Sequence, residues 1–264
     1  MSSVFFKPFS TFIILTLISS IPYVSMSQDK IKTRVVAHRG AWKNTGVPEN
    51  SIAALQHAIR LGCYGSEFDV HMSADSVPFV LHDHSIQGIH IEKSNAADLR
   101  KIKLTNGESL PTLEEYLLAG KSQNKTRLIL EIKSSSINKE RSHALTKRCV
   151  DLVTKTGVAG LTDYIAFDFD VCLKVKALSS TASVQYLNGD KTPEELATAG
   201  LDGFDYHFSV LKKNETWLAD ARKGKLSTNA WTVNDEETMR WLIAQNIGMI
   251  TTNEPEKLIE LLTK

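Results

Sequence analysis

From residue 34 onward the chain alternates between two hydrophobic periods. Short runs that are apolar throughout, or apolar at every second position, predict strands, because strand side chains alternate between faces. They fall at 34–37, 66–70, 127–133, 164–169, 183–187, 203–208, 226–233 and 248–251. Between most of them apolar residues recur at spacings of three and four, as on a helix with one buried face. These sets are Ile52, Leu55 and Ile59; Leu145, Val150, Leu152 and Val153; Val171, Leu173, Val175 and Leu178; and Met239, Leu242 and Ile243. Thr192 before Pro193, Asn234 before Asp235 and Asn253 before Pro255 read as helix caps with acidic first turns. Eight strands alternating with helices predict an α/β fold, a (β/α)8 TIM barrel, and no linker divides it.

One run breaks the alternation. Residues 77–81 follow the second strand too closely for a parallel crossover, which needs a dozen or more residues. A β-hairpin and small insertion after the second strand are therefore predicted, with the hairpin carrying His82 back over the strand ends. The stretch from His84 to Lys125 reads as that insertion, with a helix at 112–119 capped by Thr112 and Glu115.

The pattern before residue 34 is different. Residues 1–27 carry one charge, Lys7, an apolar stretch from Phe12 to Ile21 and small residues at Ser25-Met26-Ser27. This reads as a signal peptide, with the domain at 28–264 secreted or periplasmic. The apolar core is about half the ~20 residues of a membrane-spanning helix, so stable membrane insertion is not expected. Beyond it the chain has 30 basic and 30 acidic side chains, a balance that argues against a nucleic-acid binder. Cys63, Cys149 and Cys172 show no metal-ligand spacing and are expected to be buried thiols.

In a barrel of this kind the reactive side chains come from the C-terminal strand ends. His38 follows the first strand, Glu67 and Asp69 end the second, and Glu131 with Lys133 ends the third. Three hard oxygen ligands suit one divalent ion, Mg2+ or Ca2+, rather than Zn2+. Arg39 and Lys133 add positive charge for an anionic substrate. Two imidazoles, His38 and His82, fit a general base and a general acid. Glu49 and Asn50 are expected to shape the loop, His57 to lie at the surface, and His71, His84 and His90 stay unassigned. Phe167 and Tyr186 are minor pocket candidates.

These residues resemble the glycerophosphodiester phosphodiesterase family, whose barrel is related to the phosphatidylinositol-specific phospholipases. The resemblance rests on His38-Arg39-Gly40, Pro48-Glu49-Asn50-Ser51, Glu67-Phe68-Asp69-Val70 and His82-Asp83. It continues through Leu110-Pro111-Thr112-Leu113-Glu114-Glu115, Glu131-Ile132-Lys133 and Trp231-Thr232-Val233-Asn234. It implies His38 as base, His82 as acid, Glu67, Asp69 and Glu131 as metal ligands, and Arg39 and Lys133 as phosphate contacts. Trp231 would stack on the substrate. It also implies attack of the glycerol 2-hydroxyl on phosphorus, a cyclic phosphate opened by water, and release of an alcohol and glycerol 3-phosphate. Two positions depart from the family pattern: Ser51 stands where threonine is common, and Thr252-Asn253 where Thr-Asp is common. Asn253 is read as a helix cap, so the second change should affect the rim and not the chemistry.

Rival functions come from other classes. A lysophospholipase D or a phosphodiester lyase acting on lipids would use the same His, Glu and Asp core. A glycoside hydrolase would leave His38, His82 and Lys133 without roles. A non-catalytic binding barrel would not need acid, base and ligand positions together.

Overall fold

The computed structural model describes residues 1–5 and 32–263, so the apolar stretch read as an export signal lies outside the described residues. Eleven strands and ten α-helices are described. The strands are β1 (Arg34–Ala37), β2 (Gly65–Met72), β3 (Pro78–Val80), β4 (Ser85–Ile86), β5 (Ile89–His90), β6 (Arg127–Ile132), β7 (Thr162–Ala166), β8 (Ser183–Tyr186), β9 (Gly203–His207), β10 (Ser227–Trp231) and β11 (Met249–Thr252). The helices are α1 (Ile52–Leu61), α2 (Ala96–Leu99), α3 (Leu113–Gly120), α4 (Lys139–Thr156), α5 (Phe169–Leu178), α6 (Pro193–Thr198), α7 (Phe208–Lys213), α8 (Trp217–Lys223), α9 (Glu236–Ala244) and α10 (Pro255–Thr263). Strands β1, β2 and β6 to β11 pair in parallel, and β1 meets both β11 and β2, so the sheet closes into the (β/α)8 barrel.

The barrel interior is layered. Val36, Ile129, Ile165, Leu187 and Met249 form an apolar cluster inside the ring. Buried polar side chains Glu67, Asp69, Glu131, Asp205 and Asn229 also come from barrel strands. A larger core, with Leu55, Phe68, Leu117, Leu128 and Leu242 among its members, belongs to the packing between sheet and helices. Full burial of each such side chain stabilises the fold by roughly 1.5–3 kcal/mol before chain entropy is counted.

After β2 the chain leaves the barrel pattern, as the 77–81 run predicts. Strand β3 returns antiparallel along β2, with Val70 opposite Val80 and Met72 opposite Pro78. The excursion has its own small core of Phe79, Leu81, Ile91, Leu99, Ile102 and Leu110. Two of its carboxylates tie it to the barrel. Glu108 accepts from the Ile52 and Ala53 backbone N–H groups at 2.9 and 3.1 Å, at the positive end of α1, where a carboxylate is favoured. Glu92 accepts from the Ser136 N–H at 2.8 Å and from the Ser135 and Ser136 hydroxyls.

Several local expectations change. Helix α3 belongs to the barrel and not to the insertion, since it packs against α1 and α4 and Gly120 lies against Leu128. Its capping box, Thr112 with Glu115, is as read and contributes about 1 kcal/mol. The cap of α9 is Asp235, one residue beyond Asn234. In α5 the buried face is Val171, Cys172 and Val175, while Leu173 and Leu178 are exposed. Strand β7 stops at Ala166, because the Asp168 side chain caps α5. His57 is half-buried, with Nδ1 2.8 Å from the Ala41 carbonyl, and not a surface residue. All three cysteines are buried free thiols. Among the described residues no helix is long and apolar enough to cross a membrane.

Candidate active site

The turn after β1 sets the first side chains. Arg39 adopts φ 56°, a left-handed conformation that costs a non-glycine residue roughly 1–3 kcal/mol. Gly40 follows at φ 80°, and a Cβ there would meet the Ala54 backbone at 2.7 Å, so only glycine fits. The Arg39 N–H then donates to Glu67 Oε2 at 2.8 Å, and Gly40 N–H to the Glu67 carbonyl at 3.1 Å. The Arg39 guanidinium donates to Glu49 Oε1 at 2.8 Å and lies 3.6 Å from Asp69 Oδ2. Asn50, also left-handed at φ 59°, grips Asp69 from both sides. Its Nδ2 donates to Asp69 Oδ2 at 2.8 Å, and its Oδ1 accepts from the Asp69 N–H at 3.1 Å. Asn50 is therefore an acid-orienting residue as well as a loop former.

Strand register brings the carboxylates together. Asp69 pairs with Glu131 across β2 and β6, and Glu67 lies two residues before Asp69 on the same face. One oxygen from each of Glu67, Asp69 and Glu131 lies within 4.8 Å of the others, and all three residues are buried. Lys133 Nζ sits 2.8 Å from Asp69 Oδ1 and 2.6 Å from Glu131 Oε1. Glu67 Oε1 is buried without a hydrogen-bond partner. Burial and the Asp69 charge push Glu131 up to about 7. Burial, Asp69 and Glu131 push Glu67 well above the usual carboxylate range. Burial opposes ionisation of Asp69 too, but Lys133, His82 and Asn50 outweigh it and hold Asp69 down at about 2. Lys133 among the three buried carboxylates, with Arg39 beside Asp69 but shared with Glu49, leaves negative charge uncompensated when all three ionise, which a divalent cation would balance.

The two histidines differ in setting. His38 Nδ1 is 2.8 Å from Asn253 Oδ1, so Nδ1–H donates and the Nε2 lone pair is left free, 4.0 Å from Glu67 Oε2. Burial and Arg39 press His38 down to about 4, so its ring is neutral near pH 7. His82 is more exposed, with Nδ1 donating to Asp83 at 2.7 Å. Leu81 N–H donates to the Asp69 carbonyl at 3.0 Å, and His71 Nε2 lies 2.9 Å from the His82 carbonyl. His71 thus orients the loop that carries His82.

Asn253 therefore faces the chemistry and not merely the rim. Asn234 Oδ1 accepts from the Asn253 N–H at 2.9 Å and fixes the segment that presents it. Replacing Asn253 by Asp adds a negative charge 2.8 Å from the His38 ring, which favours the protonated form. The acid limb of kcat/KM against pH should then move upward by about 1–3 units. An unmoved limb in Asn253→Asp would remove His38 as its source.

Every residue assigned from sequence reaches one place. His38, Arg39, Glu67, His82, Glu131 and Lys133 line a cavity of about 220 Å³, whose wall also holds Trp231, Phe167 and Asp205. Asp69 lies directly behind, bonded to Lys133. Trp231 packs edge-on to Phe167 at 5.5 Å and donates Nε1–H to the Asp205 carbonyl at 3.0 Å. Tyr186 instead packs on Phe169, in the core between sheet and helices. A second cavity of about 320 Å³, with His82, Glu49, Ile86 and Leu104 in its wall, adjoins on the excursion side.

The profile of the glycerophosphoryl diester phosphodiesterase family matches residues 38–257. The chain belongs to this family. It is accordingly an enzyme, a phosphodiesterase of glycerophosphodiesters. A solved glycerophosphodiester phosphodiesterase from Parabacteroides distasonis is 41% identical, with a TM-score of 0.86 over 89% of this chain and 98% of that one. A curated glycerophosphodiester phosphodiesterase from Caldanaerobacter subterraneus subsp. tengcongensis is 27% identical over 89% of this chain and 99% of its own length. A phosphodiesterase from Oleispira antarctica, solved in complex with the product sn-glycerol-3-phosphate, is 23% identical and shares the fold at a TM-score of 0.75, over 88% of this chain and 97% of that one.

Proposed function

We propose that this enzyme cleaves soluble, deacylated glycerophosphodiesters in a metal-dependent reaction with His38 as base and His82 as acid. The observation that carries the reading is the convergence of two histidines and three buried carboxylates on one cavity between Arg39 and Lys133. Glu67, Asp69 and Glu131 would hold the ion, Mg2+ or Ca2+, and the unpartnered Glu67 Oε1 and the oxygen donor set fit it. Such an ion supplies Lewis-acid stabilisation of charge on phosphate oxygens.

The remaining steps belong to the chain's own side chains. Arg39 and Lys133 hold the phosphate and offset the charge that develops on it. His38, neutral and with Nε2 free, takes the proton of the glycerol 2-hydroxyl as that oxygen attacks phosphorus. His82, on the excursion beside β2, gives its Nε2 proton to the departing alcohol. Water then opens the cyclic phosphate with the two roles exchanged, and glycerol 3-phosphate leaves. The pattern at residues 1–27 supports export, so the substrate would be met outside the cytoplasm.

The test is release of glycerol 3-phosphate from glycerophosphocholine, glycerophosphoethanolamine and glycerophosphoinositol, beside phosphatidylcholine and lysophosphatidylcholine. Turnover of the three diesters should stop in excess chelator and return with Mg2+ or Ca2+. Faster cleavage of either lipid, or full activity in chelator, refutes this reading.

A further inference from the structure

Asp205 is not among the sequence candidates, yet like Glu67 it is a buried acid of the barrel with an unpartnered oxygen. It is 1% exposed, its Oδ1 is buried without a hydrogen-bond partner, and it lines the cavity that holds His38 and Arg39. Its strand, β9, is the sixth in the ring, with two strands between it and β1 on one side and three between it and β2 on the other. The same cavity wall carries the apolar side chains Ile165, Leu187, Phe167 and Trp231, and the acid whose charge acts on Asp205 is Glu131. Asn229 pairs with Asp205 across β9 and β10, and its side-chain amide bonds both Asp205 and Thr251 Oγ1, the latter at 2.9 Å, which leaves Asp205 Oδ1 without a partner. A buried acid on the cavity wall with an unused oxygen calls for a polar partner from the ligand, since a buried polar atom left unpaired keeps its full desolvation penalty.

We propose that Asp205 is a specificity residue that hydrogen-bonds the terminal C1 hydroxyl of the glycerol moiety. The proposal rests on the acid and base assignment above. His82 rides on the excursion beside β2, so the departing alcohol leaves on that side. The attacking glycerol lies by His38, whose strand β1 adjoins β11, and extends toward β9 and β10. The C2 oxygen faces His38, and C1 points into the recess between Trp231 and Asp205. A hydroxyl is donor and acceptor at once, so it complements a carboxylate or a protonated carboxyl equally. A second phosphate would be repelled there. An acyl ester at C1 would lack the donor and exceed the recess, so Asp205 selects deacylated substrates against lysolipids.

The experiment compares two substrates with the same headgroup in the metal-supplemented enzyme. One is glycerophosphocholine; the other is the propane-1,2-diol analogue, which keeps the attacking C2 hydroxyl and lacks the C1 hydroxyl. The native enzyme should prefer the glycerol substrate by about 30-fold in kcat/KM, within the range for leaving one buried polar group unpaired. In Asp205→Leu the preference should fall below about 3-fold, with turnover of the analogue retained. Asp205→Asn, which can still bond a hydroxyl, should keep an intermediate preference. Removing a buried acid that leaves one oxygen unpartnered should leave the melting temperature equal or higher.

Equal losses on both substrates in Asp205→Leu would make Asp205 a structural residue and overturn the proposal. A change confined to choline against inositol headgroups would also overturn it, by assigning the recess to the departing alcohol. Failure of the native enzyme to cleave either substrate would instead refute the proposed function on which the inference rests.

Discussion

Replacing Glu67 by Gln should lower kcat/KM by at least about 10³-fold while raising the melting temperature of the metal-free protein. The side chain keeps its shape, and its carbonyl oxygen can still accept from the Arg39 N–H that now bonds Oε2 at 2.8 Å. Only the charge is lost. In the metal-free site that charge is a liability, because burial, Asp69 and Glu131 all oppose ionisation of Glu67. With a divalent ion held as proposed, the same charge would be a ligand. The two readouts therefore move in opposite directions, which a merely packing role would not produce.

The same logic fixes the pH dependence. The metal needs deprotonated ligands, and Glu131 is raised from 4.5 to about 7, so protons compete with the ion below about 7. A raised carboxyl makes the metal-free fold gain stability as pH falls from about 7 toward 4.5. The stabilisation by added Mg2+ or Ca2+ should thus be larger at pH 8 than at pH 5.5, and absent in Glu67→Gln at either pH. Differential scanning calorimetry with and without the ion reads both. A metal-induced shift in melting temperature that survives in Glu67→Gln would remove this carboxylate from the ligand set.

His82→Ala should lose about 10²–10⁴-fold in kcat on glycerophosphocholine, the usual contribution of general acid catalysis. With a p-nitrophenyl ester, whose leaving group departs without a proton, the loss should shrink to about 10-fold or less. His38→Ala should stay impaired on both substrates, because the attacking hydroxyl still needs its proton removed. The assignment follows from the two rings' surroundings. His38, pressed down to about 4 by burial and Arg39, is neutral and carries a free Nε2 lone pair, as a base requires. His82, 35% exposed and held at Nδ1 by Asp83, faces the side from which an alcohol can leave. Rescue of His38→Ala by the activated ester, with none for His82→Ala, would exchange the two roles.

The barrel and the principal charged groups were legible because they follow from short-range rules. Glu67 and Asp69 share a face by strand alternation, and Glu131 lies opposite Asp69 through parallel register. The antiparallel return of β3 followed from a connection too short to cross over. What escaped depends on contacts across the ring. Asn253 meets His38 from 215 positions away, and nothing beside it in sequence distinguishes that partner from a helix cap. Asp205 had one signal, its place in the alternation 203, 205, 207 beside the row of Trp231, but an isolated acid there looks the same as a surface charge. Asn234 and Asp235 are both good caps, and only geometry shows that the second caps α9 while the first holds Asn253. The helix at Thr112 was assigned to the insertion because a long excursion separates it from β2, although its packing places it in the barrel.

The bond from Leu81 N–H to the Asp69 carbonyl, with His71 against the His82 carbonyl, bears on when the proposed acid, His82, becomes ordered. A histidine on a free loop would surrender its conformational entropy in every turnover, at the moment substrate closes the loop over itself. Here the residue before the acid is bonded to the backbone of a candidate metal ligand, so that entropy is given up once, when the chain folds. If His82 is the acid as proposed, recognition would resemble a lock more than an induced fit, with substrate binding energy left for the transition state.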